Sequence, residues 1–240
     1  MEKRQELYRG KAKTVYATDD PNLLVMHYRD DVSAFDGAKL AKLDLKGETN
    51  NKINAYVMGK LADIGVATHF LRVLNERESL VKAMKMLPIE CVVRNICAGS
   101  MAKRYGIEEG LRLPEPIFEF FLKSDPLHDP LVNDDHIRVL GWATVDEIAQ
   151  MKALTHKVNA VLKPLFAKGR MDLVDYKLEF GHPKDDPKGP LVLGDEFTPD
   201  GCRLWDHSTH DKMDKDRFRR DLGNVIEKYR EVAQRIGAPM

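Results

Sequence analysis

The spacing of apolar residues changes period several times along the chain. In the first third it alternates. Residues 6–18 (ELYRGKAKTVYAT) predict two strands around a turn at Gly10, and residues 23–30 (LLVMHYRD) a third. Ile53, Val57, Leu61 and Ile64 then recur at helical spacing, with Gly65 as the stop. Strand character returns in THFLRVLN, SLVKAMKM and IECVVRNI, with Pro88 and turn residues as breaks. Residues 98–135 are rich in Gly and Pro and predict a winding connection. Thr144 and Glu147 stand at capping-box spacing before an apolar stripe of Ile148, Met151, Val158, Leu162 and Leu165. Pro164 is expected to bend or shorten that helix, and Gly169 to end it.

MDLVDYKLEFG and GPLVLGDEFTP predict an antiparallel pair joined by the polar segment HPKDDPKG. The final stretch predicts one amphipathic helix that buries Phe218, Leu222, Val225, Tyr229, Val232 and Ile236. Strands and helices mix without a regular βαβ alternation, which favours the α+β class over a doubly wound sheet.

Composition narrows the function less than the pattern does. The 240 residues carry no net charge, with 32% charged and 43% hydrophobic. That balance is ordinary for a globular protein and gives no reason to expect nucleic acid or a membrane as partner. The N-terminal segment has no apolar core of signal-peptide length, and no apolar run would span a bilayer. Cys91, Cys97 and Cys202 lack disulfide-framework and zinc spacing, so reduced thiols in a cytosolic protein are expected.

The candidate chemistry starts at DYKLEFG. As a strand it places Tyr176, Leu178 and Phe180 on one face and Asp175, Lys177 and Glu179 on the other. The facing strand brings Asp195-Glu196. Cross-strand neighbours lie about 5 Å apart, so Glu179 and Asp195 can converge. Two carboxylates that close repel unless a cation sits between them or one is protonated. Mg²⁺ suits the pair, since it takes one or two carboxylates together with substrate phosphates. A solvated hairpin is the plainer alternative.

Gly10 with Lys11 and Lys13 can cover nucleotide phosphates, although two surface lysines on a hairpin would look the same; the P-loop pattern is absent. SAFDGAKL, with Ser33, Asp36 and Gly37, reads as a loop before the first helix. Arg94 ends an apolar strand ahead of Gly99-Ser100, a set that suits a phosphate or a simple ion pair. Arg203, Trp205 and Asp206 follow the acidic strand; the arginine can reach an anion, and Trp205 reads as packing.

In chain order, ELYRGKAKTVY, SAFDG, KGETNNKIN, VVRN…AGS, FFLKSD…HDP, DYKLEFG, LGDEFTPDG-RLWD and DKDRFR cover roughly residues 5–236. The series resembles the phosphoribosylaminoimidazole-succinocarboxamide synthase (SAICAR synthetase) family, close to its short bacterial single-function form. The resemblance implies an ATP-dependent ligase that joins the carboxylate of a carboxyaminoimidazole ribonucleotide (CAIR) to L-aspartate. It also implies a small, mostly antiparallel-β N-terminal part, residues 1–87, over a larger α+β part, residues 88–240. A kinase/ATP-grasp-like nucleotide cleft lies between them.

By the same resemblance, Gly10, Lys11, Ala12, Lys13 and Lys123 would meet ATP phosphates or ribose. Met86 and Glu90 would face the adenine, and Glu179 and Asp195 would hold Mg²⁺. Asp36 would lie by the reacting carboxylate and Lys177 by the transferred phosphoryl group, with Asp175 orienting Lys177. Arg94, Ser100, Ser33 and Arg203 would take the ribonucleotide. Asp206 and Lys212 are candidates for L-aspartate. A cytoplasmic homodimer is expected. Two rivals remain: a small-molecule kinase of the inositol-phosphate type, which DYKLEFG faintly echoes, and a non-catalytic nucleotide-binding module. A kinase would have no use for VVRN…AGS, and a bare binding module would not need Lys177 beside both acids.

HPKDDPKG is longer than the compact form leads one to expect, so the register between Glu179 and Asp195 is open. Ile96-Cys97 stand where polar residues are more usual.

Overall fold

The computed structural model describes residues 2–35 and 37–239. Alternating β-branched and aromatic residues give the early strands β1 (Glu6–Arg9), β2 (Lys13–Ala17) and β3 (Leu23–Tyr28). A hairpin follows, β4 (Asp31–Ala34) and β5 (Lys39–Lys42), where a loop was expected. Then come α1 (Lys46–Ala62), β6 (Phe70–Asn75) and β7 (Glu78–Lys82). Apart from β4 and β5, these strands form one antiparallel sheet in the order β1-β2-β3-β7-β6.

The second sheet opens with β8 (Met84–Ile96), which runs straight through Pro88. The proline does not break it because the ladder to its neighbour bulges there. Glu90 pairs with Glu179 and Met86 with Gly181, so β8 has two extra residues and Pro88 owes no ladder bond. The expected division at residue 87 therefore falls inside a strand.

The middle of the chain is more regular than its composition suggests. After α2 (Gly99–Tyr105) comes the long strand β9 (Arg112–Leu122), then β10 (Leu131–Val132) and α3 (Asp134–Val139). Pro114 and Pro116 disguise β9, but both fall where its register against β8 shifts between Ile117 and Arg112. The helix α4 (Val145–Lys168) starts at the Thr144 capping box and continues four residues past Pro164, so the proline does not shorten it.

β11 (Met171–Pro183) is the spine of the second sheet. It pairs with β8 along one edge. On the other edge it pairs with β12 (Val192–Gly194) and β13 (Cys202–Asp206). Tyr176, Leu178 and Phe180 are buried in the main core with α4 and with Ile53, Val57 and Leu61 of α1. The first helix thus shares its core with the second sheet. The last stretch is two helices, α5 (Asp216–Arg219) and α6 (Val225–Ile236). Asp221, Gly223 and Asn224 all adopt positive φ and break the helix, which leaves Leu222 exposed. Phe218, Val225 and Tyr229 are buried as expected and cover Val32 and Ala34 of β4.

No helix of the described residues is long and apolar enough to cross a membrane.

Candidate active site

The polar face of β11 carries Asp175, Lys177 and Glu179, and each meets a different partner set. Asp175 is buried, and one of its oxygens accepts from both Arg94 (3.0 Å) and Arg203 (2.8 Å). The ladder explains this, because Arg94 and Arg203 are its cross-strand neighbours on either side. Asp175 therefore orients two arginines, not Lys177 as the resemblance implied. Arg94 also donates to Glu119 at 2.6 Å and to the Ser100 hydroxyl at 3.1 Å. Arg203 also donates to Asp216 at 2.9 Å.

Gly99 completes this cluster. It sits at φ +56°, and a Cβ there would fall 2.4 Å from the Arg203 guanidinium. Only glycine allows both the backbone conformation and the close approach. The result is two guanidiniums, a hydroxyl and a helix start on one spot, a set suited to a phosphate.

Two residues along β11, the Lys177 ammonium binds Glu90 and lies 3.8 Å from Glu179. Glu90 is thus the partner of the lysine. Its strand has neighbours on both sides, Glu179 and Phe121, so its backbone belongs to the sheet and is not free for a base. Met86 lies four residues back, against Gly194: a Cβ on that glycine would meet the Met86 side chain at 2.6 Å.

The ladder sets Glu179 opposite Gly194, so Asp195 stands one step past the expected register. Glu179 accepts from Lys123 at 2.5 Å. Asp195 binds Lys13, whose ammonium is also 3.1 Å from Glu196. Burial opposes every charge here. For Lys13 the carboxylates of Asp195 and Glu196 outweigh it, and the pKa is raised. For Asp195, Lys13 and Lys177 outweigh it, and the carboxyl is held well below the usual range. Glu179 goes the other way: burial and the nearby Asp195 raise it.

The first sheet contributes its glycine turn to this cluster. Gly10 N–H donates to the Lys13 carbonyl at 2.9 Å. Arg29 donates to the carbonyls of Gly10 (2.7 Å) and Lys13 (2.7 Å) and to the Thr14 hydroxyl (2.6 Å), while its own N–H bonds the Ala12 carbonyl at 2.8 Å. One guanidinium therefore shapes the whole turn. Lys11 reaches across to Asp125 at 2.9 Å. His69 is buried behind Asp195, where burial lowers its pKa to about 4 and keeps it neutral. Neither Arg29 nor His69 stands out in the sequence, since the partners of each lie on segments distant along the chain.

Three candidates lie elsewhere. Asp206 accepts from the backbone and hydroxyl of Ser208 and Thr209 and from Arg235 at 2.7 Å, so a turn and an ion pair occupy its carboxylate. Lys212 lies over the Trp205 ring, 3.3 Å from its centre, and 3.3 Å from Glu109. Ser33 is buried in β4, opposite Leu40. The structure brings none of them to the β11 cluster, and the carboxylate of Asp206 and the ammonium of Lys212 are taken up by partners within the fold. Asp36 lies outside the described residues.

Among the described residues, no three His, Cys, Asp or Glu side chains converge as a ready-made metal cage. Glu179 and Asp195 still fit Mg²⁺. Two mutually repelling carboxylates, one with a raised pKa, suit an ion that draws its other ligands from phosphates.

A glycine–lysine turn on one sheet, set against a lysine–carboxylate cluster on another, defines a nucleotide-dependent enzyme of the α+β class. The chain belongs to the SAICAR synthetase family. The family model of that description matches residues 6–236. The chain is 63% identical to phosphoribosylaminoimidazole-succinocarboxamide synthase of Alteromonas mediterranea, over 99% of each chain. It is 60% identical to that of Idiomarina loihiensis over the full length of both. Among solved structures, the synthase of Ehrlichia chaffeensis superposes with a TM-score of 0.96 at 45% identity, covering 98% of this chain and all of the other. A SAICAR synthetase in complex with ADP gives 0.92 at 44% identity, with the same coverage.

Proposed function

We propose that the β11 cluster is where this chain performs its family's reaction, the ATP-dependent joining of CAIR to L-aspartate to give SAICAR, ADP and phosphate. The observation that carries the assignment is the single strand face on which Asp175 meets two arginines, Lys177 meets Glu90, and Glu179 meets Lys123.

A carboxylate does not acylate an amine at neutral pH, because its oxygen is a very poor leaving group. The γ-phosphoryl group passes to a carboxylate oxygen of CAIR, and ADP departs. The aspartate nitrogen then attacks the acyl carbon and phosphate leaves. Lys11 and Lys13, on a turn that Arg29 keeps in shape, hold the nucleotide phosphates together with Lys123. Lys177 meets the charge on the phosphoryl group as it moves, the step at which fixed charges help most. Arg94, Arg203 and Ser100 hold the ribonucleotide 5′-phosphate, and so fix the carboxylate one strand step from Lys177. Glu179 and Asp195 would hold Mg²⁺, which when bound neutralises phosphate charge. Asp36 belongs with the reacting carboxylate by its motif. We place the enzyme in the cytoplasm as a homodimer.

Asp195→Asn tests the assignment. Turnover should fall by at least about a hundred-fold, and ATP binding should lose its Mg²⁺ dependence in calorimetric titration. Near-normal turnover would overturn the role given to Asp195.

A further inference from the structure

One cation beside the site has no work in the scheme above. Lys215 follows Asp214, whose carboxylate accepts from the Leu204 N–H at 2.8 Å. It precedes Asp216, which binds Arg203. Its own N–H donates to the Pro199 carbonyl at 3.1 Å. Two residues on from that proline, the Gly201 carbonyl accepts the Lys177 N–H at 3.1 Å. The backbone of Lys215 is thereby fixed between the arginine cluster and Lys177.

The side chain of Lys215 is half-buried, yet it makes no hydrogen bond or ion pair with any described residue. The charges it feels are Asp200, Arg219, Lys46 and Lys177, three of them positive. Asp200 is already committed, to Lys46 at 2.5 Å, to Asn50 at 2.8 Å and to the Tyr229 hydroxyl at 2.8 Å. Burial with so little compensation lowers the Lys215 pKa to about 8. Charges withdrawn from water are ordinarily paired, and a half-buried ammonium left without an ionic partner beside an anion-binding cluster is free to take a carboxylate from a ligand.

We infer that Lys215 binds a carboxylate of the amino dicarboxylate substrate, L-aspartate, and holds its amine toward the acyl group beside Lys177. The inference rests on the ligase reading. That reading brings three anionic substrates to the site. The nucleotide has Lys11, Lys13 and Lys123, and the ribonucleotide has Arg94 and Arg203. The dicarboxylate has no cation until Lys215 is counted. A compact ammonium suits a single carboxylate, whereas the paired guanidiniums suit a phosphate.

The test varies each substrate in turn for the parent, Lys215→Met and Lys215→Arg. Removing one charge-assisted contact predicts a KM for L-aspartate raised about 10- to 100-fold in Lys215→Met. The KM values of ATP and CAIR should stay within about three-fold, and Lys215→Arg should recover part of the loss. Succinate carries both carboxylates and no amine, so its affinity for enzyme loaded with ADP and CAIR, by calorimetry, should weaken by a matching factor. The melting temperature of Lys215→Met should hold, since no hydrogen bond or ion pair of the fold is lost. An unchanged KM for L-aspartate, an equal rise for CAIR, or a marked loss of melting temperature would each overturn the inference. Failure of the parent to use L-aspartate at all would instead overturn the ligase reading.

Discussion

Asp175→Asn probes the buried ionic cluster that holds the ribonucleotide end of the site. The Asp175 side chain is 5% exposed, and one oxygen carries two guanidinium contacts. The amide is close to isosteric and keeps an oxygen there, so geometry survives and charge does not. A charge-assisted hydrogen bond contributes about 1.5–3 kcal/mol and a neutral one about 0.5–1.5. Two such exchanges predict a loss of roughly 2–3 kcal/mol. In a chain of 240 residues that corresponds to roughly 5–10 °C in melting temperature. Scanning calorimetry at neutral pH measures it. Asp172→Asn is the control: Asp172 pairs with the exposed Arg112, and such a pair contributes about 0–1 kcal/mol. Arg94 and Arg203 lose a counter-charge in the Asp175 variant, so inorganic phosphate should restore more stability to it than to the parent. A loss no larger than that of Asp172→Asn would refute the claim that Asp175 anchors both arginines.

Arg29 touches no substrate in the proposed scheme, so Arg29→Gln should act only through the turn from Gly10 to Lys13. Initial rates should show the KM for ATP raised about ten-fold, with that for CAIR little changed. Asp200 gives a pH prediction. Burial would raise its carboxyl, but Lys46 outweighs that and holds it at about 2, below the usual 3.8. A depressed carboxyl stabilises the fold fully above pH about 4, and that stability is lost as the pH falls toward 2. The amount is about 2 kcal/mol. Urea unfolding from pH 6 downward should show the decline in the parent and a flatter profile in Asp200→Asn.

Much of the fold was legible because its signals are local. The two-residue alternation of DYKLEFG placed Tyr176, Leu178 and Phe180 in the core, and the Thr144 capping box marked the start of α4. Prolines misled where tertiary context accommodated them. Pro88, Pro114 and Pro116 sit at register shifts that leave them no ladder bond to make. The break before α6 was hidden because Asp221 and Asn224 adopt left-handed backbone that side chains other than glycine rarely take.

Within the site, the polar face of Asp175, Lys177 and Glu179 was readable from the alternation of β11, while the register to Asp195 was open and falls one step past Glu179. Contacts from more distant segments were not readable. Arg29 on the glycine turn, Gly99 under Arg203 and Lys215 after Asp214 have no local pattern, because each is set by segments apart in the sequence, Arg29 by the ladder between β2 and β3 and the other two by loops that meet the second sheet. The pairing of Glu90 with Lys177 was not readable either, because it follows from the register of β8 against β11, which sets Glu90 opposite Glu179.

One site is to couple nucleotide cleavage to acylation of an amine. The direct measurement is ADP release by the purified chain with Mg-ATP and CAIR, with and without L-aspartate. Release should require both partners, with a succinocarboxamide product formed in equal amount. ADP released with neither partner, or only with a polyol phosphate, would contradict it and favour a kinase.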